Sequence, residues 1–171
     1  ASMRFVSGGK VYSQYEWQSF YNSNIRRRLG TDETQGTNDF SYINRSANSN
    51  EVRTVLFKGE PLKVEYTNLK NSYFNGKKIS KVEYTYTLKY TGIYGVDYMP
   101  VLIQKDPTVT IWYINFYGES SINLKANFYD EKGQKIDMTG ALLSFSSLNN
   151  GKGTIYNAPS AVGKLMVEKV L

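Results

Sequence analysis

From Ser80 to Tyr90 the chain alternates without a break. Val82, Tyr84, Tyr86, Leu88 and Tyr90 hold the even positions, and Lys81, Glu83, Thr85, Thr87 and Lys89 the odd ones. Successive side chains of a strand point to opposite faces, so this segment predicts a strand with one dry face and one wet face. Such a strand needs paired neighbours and an apolar layer to cover it, which excludes a helical bundle. Further candidates follow the same reading. Glu51 to Lys58 and Leu62 to Thr67 are separated by Gly59-Glu60-Pro61, and Asn75-Gly76 marks a tight turn. Met99 to Gln104 and Thr108 to Tyr117 are split by Lys105-Asp106-Pro107, and the second is apolar on both faces, as a central strand would be. Ile122 to Tyr129, Gln134 to Asp137, Ala141 to Leu148, Thr154 to Asn157 and Leu165 to Val170 complete the set. Short turns between strands, without intervening helices, predict a mainly β chain folded as an antiparallel β-sandwich. Even positions from Val82 to Tyr90 and from Ile122 to Phe128 are expected to face its core.

One helix precedes the strands. Ser13-Gln14-Tyr15-Glu16 fits a capping box, and Trp17, Phe20, Tyr21, Ile25 and Leu29 recur at helical spacing. Arg26, Arg27 and Arg28 suit the negative end of its dipole, and Gly30 suits the position just beyond it. This N-terminal helix is expected to lie against an edge or end of the sandwich. Residues 31–50 read as a long surface excursion. At 171 residues the chain is expected to be a single domain, 1–171.

The absence of His and Cys removes the usual general base, the thiol nucleophile, disulfides and nearly every zinc site. No nucleophile elbow, phosphate loop or metalloprotease motif is present, so no enzymatic turnover is expected. A glycosidase would need two carboxylates facing one another across a cleft, and Asp97, Asp106, Glu119, Asp130, Glu131 and Asp137 all fall in or beside turns, where Asp commonly caps its own backbone. No cofactor is expected: no loop matches the spaced acidic pattern of a calcium EF-hand, which leaves calcium only a site assembled from distant loops. An intramolecular Lys to Asn isopeptide bond would require a buried lysine, whereas the strand lysines fall on wet faces by parity. The densest basic run, Arg26-Arg27-Arg28, falls at the end of the helix, and the lysines lie mostly singly among acids, tyrosines and threonines, so the net charge of +6 reads as a solvated face. Neither a nucleic-acid partner nor membrane insertion is expected from it, and a monomer is expected.

Several ordered blocks between Glu60 and Leu148 carry a resemblance. They are Tyr66-Thr67-Asn68-Leu69, Asn71-Ser72-Tyr73-Phe74-Asn75-Gly76-Lys77-Lys78-Ile79-Ser80-Lys81-Val82, Lys105-Asp106-Pro107-Thr108-Val109-Thr110-Ile111, Phe128-Tyr129-Asp130-Glu131, Ala141-Leu142-Leu143-Ser144 and Ser147-Leu148-Asn149. With these blocks the chain resembles the glucan-binding protein C domain, the variable region of the streptococcal antigen I/II cell-surface adhesins. The resemblance implies a lectin-like sandwich of the supersandwich type, displayed on the cell wall outside a Gram-positive coccus. It also implies adhesion to a host glycoprotein, such as the salivary scavenger receptor agglutinin, or to a glycan. Family domains are longer, so an excised fragment of a longer surface protein is expected, and the family's sugar cleft and any metal at its base are not carried over. The alternative role is a protein-interaction or spacer module.

Sugar recognition needs flat aromatic faces for the C–H side of the ring, and amides or carboxylates for its hydroxyls. Tyr113, Asn115 and Tyr117 share one face of the Thr108 to Tyr117 segment, and Trp112, Ile114 and Phe116 share the more apolar face expected to be core. Tyr94 and Tyr98 flank Gly95 in the loop before it. Tyr94, Tyr98, Tyr113, Asn115 and Tyr117 are therefore the candidate ligand-binding residues. A tyrosine-rich strand also packs with its hydroxyls at the rim, so each of them admits a purely structural reading.

Overall fold

A computed structural model describes residues 1–26, 50–107, 111–113 and 120–141. Its strands are β1 (Ser2–Ser7), β2 (Glu51–Phe57), β3 (Leu62–Thr67), β4 (Tyr73–Phe74), β5 (Lys77–Lys78), β6 (Lys81–Tyr90), β7 (Tyr98–Gln104), β8 (Ile111–Tyr113) and β9 (Ser121–Tyr129), with one α-helix, α1 (Gln14–Tyr21), between β1 and β2. They form a four-stranded sheet in the order β1-β3-β6-β9, a three-stranded sheet β2-β7-β8 and the small ribbon β4-β5. Every pairing is antiparallel. The two larger sheets enclose one core, so the antiparallel sandwich expected from the alternation is the observed fold.

The parity reading holds for most of β6. Val82, Tyr84, Tyr86 and Leu88 are buried, while Lys81, Glu83, Thr85 and Thr87 face outward in a half-exposed row. Tyr90 breaks it and is 44% exposed, contrary to expectation. The register with β9 slips between Leu88 and Tyr90, and this bulge turns the last residue out of the core. On β9, Ile122, Leu124, Ala126 and Phe128 pack against the core from the sheet's edge. The wet face is stitched across strands. Glu65 and Glu83 sit directly opposite one another, a repulsive arrangement that Arg4 (3.4 Å to Glu65) and Lys63 (3.6 Å to Glu83) offset.

β1 was not expected, because Ser2 to Ser7 is short and its alternation, with Met3 and Phe5 apolar, breaks at Val6. It pairs with β3, and at its end Gly8 (φ +69°) passes so close to the Pro61 carbonyl that a Cβ would lie 2.3 Å from that oxygen. The chain then runs beside β2. Tyr12 N–H donates to the Arg53 carbonyl (2.9 Å), the Thr54 hydroxyl to the Lys10 carbonyl (2.7 Å), and the buried indole N–H of Trp17 to the Thr54 carbonyl (3.0 Å). The expected capping box is formed: Glu16 N–H donates to the Ser13 hydroxyl (3.1 Å) and Ser13 N–H to the Glu16 carboxylate (3.2 Å). Together these contacts cover an edge strand that would otherwise present unpaired backbone groups. The α-helix ends at Tyr21, earlier than expected, and continues as a π-helical turn, Asn22–Arg26. Arg27 to Gly30, expected to close it, lie outside the described residues, as does 31–49 of the expected excursion.

Other expectations shift in detail. The central strand of the three-stranded sheet is β7, whose residues Met99 to Ile103 are all buried. Only Ile111–Tyr113 of the expected Thr108 to Tyr117 strand is described. Tyr113 and Ile111 pack against the core, so the face assigned away from it is a core-facing one. Gln134 to Asp137 makes a single bridge, Lys135 to Tyr129, rather than a strand. The tight turn at Asn75-Gly76 joins β4 to β5 as expected, with φ of 49° and 74°. The expected strands beyond Ala141 lie outside the described residues.

Candidate functional site

The bulge that expels Tyr90 opens onto a short, rigid loop. Its organiser is Thr91, 1% exposed. The Thr91 hydroxyl accepts from Ile93 N–H (3.1 Å) and donates toward the Val96 carbonyl (2.8 Å), while its own carbonyl accepts from the Ser120 hydroxyl (2.6 Å). Val96 N–H donates back to the Ile93 carbonyl (3.2 Å), closing a turn across Tyr94 and Gly95. Gly95 has φ of 75° at the third position, where this kind of turn needs a glycine. Ile93 and Val96 are buried and anchor the turn from below. Its tip, Tyr94, is 96% exposed. Lys58 N–H donates to the Asp97 carbonyl (2.8 Å), which fixes the end of β2 to the loop's exit.

A hollow of about 420 Å³ lies between these parts, lined by Lys58, Tyr90, Thr91, Ile93, Tyr94, Gly95, Val96 and Asp97. Its lining combines two tyrosines, the buried Ile93 and Val96, one lysine and one aspartate. Aromatic and aliphatic residues mixed with a few polar ones are the composition of a small-ligand site. A tyrosine already held on a tight turn loses little conformational freedom when something stacks on it.

The five residues expected from sequence to bind ligand do not come together as one group. Tyr94 lines the hollow. Tyr98 does not: its ring stands edge-on to Phe20 (centroids 5.2 Å) and tilted to Phe57 (6.4 Å), and its hydroxyl donates to the Asn24 carbonyl (3.3 Å). It thereby ties β7 to the helix and its π-helical turn. Tyr113 packs on the core, where burial pushes its phenol pKa above the ordinary 10.0. Asn115 and Tyr117 lie outside the described residues. Lys58 and Tyr90 were missed. Parity placed Tyr90 inside, and the signal against it was the Thr91-Gly92 step that follows, where a strand losing its register turns away.

Among the described residues, Asp97 is the one carboxylate that lines this hollow. Asp130 and Asp137 cap their own turns, Asp130 accepting from Lys132 N–H and Gln134 N–H (both 2.9 Å) and Asp137 from Thr139 N–H (3.0 Å). Side-chain and backbone hydrogen bonds from Thr139 hold the Asp137 carboxyl below its ordinary value. Among the described residues there is no group of three or more acidic side chains placed to hold a metal ion. No described lysine is buried, so none has the environment an isopeptide bond requires. No helix among the described residues is long and apolar enough to cross a membrane.

Known proteins share this architecture. The glucan-binding protein C of Streptococcus mutans, whose structural study concerned sucrose-independent and sucrose-dependent adherence, is 25% identical. The match covers 81% of this chain and 40% of that one, with a TM-score of 0.55. The adhesin domain of PrgB from Enterococcus faecalis, in its DNA-bound structure, is 20% identical over 79% of this chain and 50% of that one, with a TM-score of 0.53. A second structure of that domain is 18% identical over 79% and 47%, with a TM-score of 0.51. At these identities the PrgB likeness concerns the fold. The chain thus spans half or less of the length of the structures it matches. The family model described as glucan-binding protein C matches residues 1–170, so this chain belongs to the glucan-binding protein C family.

Proposed function

We propose that this chain is a ligand-binding domain of a bacterial surface adhesin, and that it attaches to a glycan or host glycoprotein through the hollow under Tyr94. The observation that carries the site is the 96% exposure of Tyr94 at the tip of a turn held by Thr91, beside a hollow that it helps to line. The adhesive role is supported by the family match and by the two adhesins that share the fold. Assignment to the antigen I/II variable regions, display on a Gram-positive cell wall and the absence of turnover belong to the same reading. The contact is shallow and single-site, so the affinity it supplies is weak, on the order of millimolar to tens of micromolar, and attachment relies on many copies.

The test is capture on immobilised scavenger-receptor glycoprotein, before and after enzymatic deglycosylation, at low and raised salt, with Tyr94→Ala beside the parent. Loss on deglycosylation and in Tyr94→Ala is the expected result. Capture that survives both means a protein partner and a different surface. A second reading, binding to a nucleic acid, is favoured by the +6 charge alone. In that case duplex DNA competes for capture and raised salt abolishes it, because phosphate contacts release counterions.

A further inference from the structure

The outer face of the four-stranded sheet carries positive charge that its own acids do not offset. Those acids, Glu65 and Glu83, are paired with Arg4 at 3.4 Å and Lys63 at 3.6 Å. Three further lysines, Lys81 and Lys89 on β6 and Lys125 on β9, enter no ion pair among the described residues. Lys89 and Lys125 are exposed and Lys81 half-buried. The register sets their spacing. Lys81 and Lys89 stand eight residues apart, about 27 Å at the rise of a strand, and Lys125 lies opposite Thr85, midway between them. Thr87 and Asn123 face one another in the gap between Lys125 and Lys89, and bring a hydroxyl and an amide to it.

A row of cations spaced along two strands suits a partner with negative charges at intervals along its length. Single-stranded nucleic acid also wants rings on which its bases can stack. From Lys81 to Thr87 the one ring on the outward face of these strands is Tyr129, and the Lys81 ammonium lies over it, 4.3 Å from its centroid. Hydroxyl and amide groups between the cations suit sugar hydroxyls instead.

We infer that this face takes a linear acidic polysaccharide laid along β6 and β9, with its carboxylate or sulfate groups at Lys81, Lys125 and Lys89 and its hydroxyls at Thr87 and Asn123. None of these residues lines the hollow, so the inference stands apart from the reading of Tyr94.

The probes are heparin, polygalacturonate and a single-stranded oligodeoxynucleotide, titrated against the chain at low and raised salt. Both polysaccharides should bind at low salt. Replacing Lys81, Lys89 and Lys125 together by Gln should weaken them at least about tenfold and flatten the salt dependence. A control with Lys10, Lys70 and Lys105 replaced by Gln makes the same change in net charge on other elements, and should bind as the parent does. Thr87→Val with Asn123→Ala leaves the charge untouched and should weaken the polysaccharides but not the oligodeoxynucleotide. Melting curves serve as the folding control for each variant. Equal losses in the two lysine variants would mean attachment by net charge alone and overturn the inference. So would polysaccharide binding that survives loss of the three face lysines. An oligodeoxynucleotide bound as tightly as heparin, and lost with those lysines, would make this a nucleic-acid face and overturn the glycan assignment.

Discussion

The phenol hydroxyl of Tyr66, on β3 of the four-stranded sheet, donates at 2.7 Å to the carbonyl of Gln104, the last residue of β7 in the opposite sheet. Tyr84 repeats the device one step along, donating at 2.8 Å to the Pro107 carbonyl. The rings stack edge to face between the sheets, with centroids 5.5 Å apart for Tyr66 and Tyr84 and 6.3 Å for Tyr84 and Tyr86. Core tyrosines thus serve twice, filling the sandwich and holding the β7–β8 connection at its end. Tyr86 does mainly the first: its buried hydroxyl interacts with the Tyr66 hydroxyl but makes no hydrogen bond of full geometry.

That difference predicts an order for three phenylalanine substitutions. Tyr66→Phe and Tyr84→Phe each lose a hydrogen bond and should cost about 1 kcal/mol, leaving a buried carbonyl short of a donor. Tyr86→Phe removes a buried polar atom that makes no hydrogen bond of full geometry and should cost less than either. Urea denaturation of the three variants checks this, and an equal cost for all three would contradict it.

The same three phenols predict alkaline sensitivity. Burial pushes the Tyr84 pKa up to about 12, and burial raises those of Tyr66 and Tyr86 as well. Above pH 10 the unfolded chain releases these protons while the folded chain keeps them. The unfolded state then binds fewer protons, so stability is full below pH 10 and falls as pH rises through the folded values. Melting temperature followed from pH 8 upward should begin to fall near pH 10, ahead of phenolate absorbance from the three buried rings in the folded chain.

Strand parity predicts a contrast on β6. Tyr86→Lys places an unpaired ammonium in the core and should cost at least about 3 kcal/mol. Thr87→Lys, on the outward face opposite Asn123, should change stability by about 0.5 kcal/mol or less. Comparable melting temperatures for the two would mean the face assignment is wrong.

Gly8 gives a test of β1. Alanine there meets both a positive φ, costing about 1–2 kcal/mol, and the Pro61 carbonyl at 2.3 Å, which only a backbone shift can relieve. Gly133→Ala has a similar φ (75°) and open space around it, so only the first cost applies. Gly8→Ala should therefore melt lower than Gly133→Ala. The extra loss should come with faster exchange of β1 amides.

What could be read ahead of the structure was local or periodic. Val82 to Leu88, the Ser13–Glu16 box and the Asn75-Gly76 turn each carry their reason within a few residues. Tyr90 was misplaced because a bulge is set by the partner strand, and the slip against Ser121 leaves no mark in the alternation of β6 itself. β1 was missed because it takes its stability from pairing with β3, about sixty residues away, rather than from its own pattern. The packing of Tyr98 could not be read ahead for the same reason. Its partners Phe20 and Phe57 come from α1 and β2, and no spacing in the sequence puts the three rings together. The loop position of Tyr94 was legible because Gly95 follows it.

Tyr94 and Tyr98 were indistinguishable as sequence and are opposite in structure, so one pair of substitutions separates binding from folding. Tyr94 makes no contact that the fold depends on, and Tyr94→Ala should leave the melting temperature unchanged while reducing capture on glycoprotein by at least about tenfold, the loss typical of a stacked anchor residue. Tyr98 sits among Phe20 and Phe57 and bonds to Asn24, so Tyr98→Ala should cost about 3 kcal/mol or more by leaving a cavity in that aromatic cluster. Tyr98→Phe keeps the ring, should recover most of that stability and should bind as the parent does. If Tyr98→Phe loses binding with its melting curve intact, the hydroxyl of Tyr98 touches the ligand and the site extends beyond the hollow toward β7. If Tyr94→Ala binds as well as the parent, the hollow is not where this domain attaches.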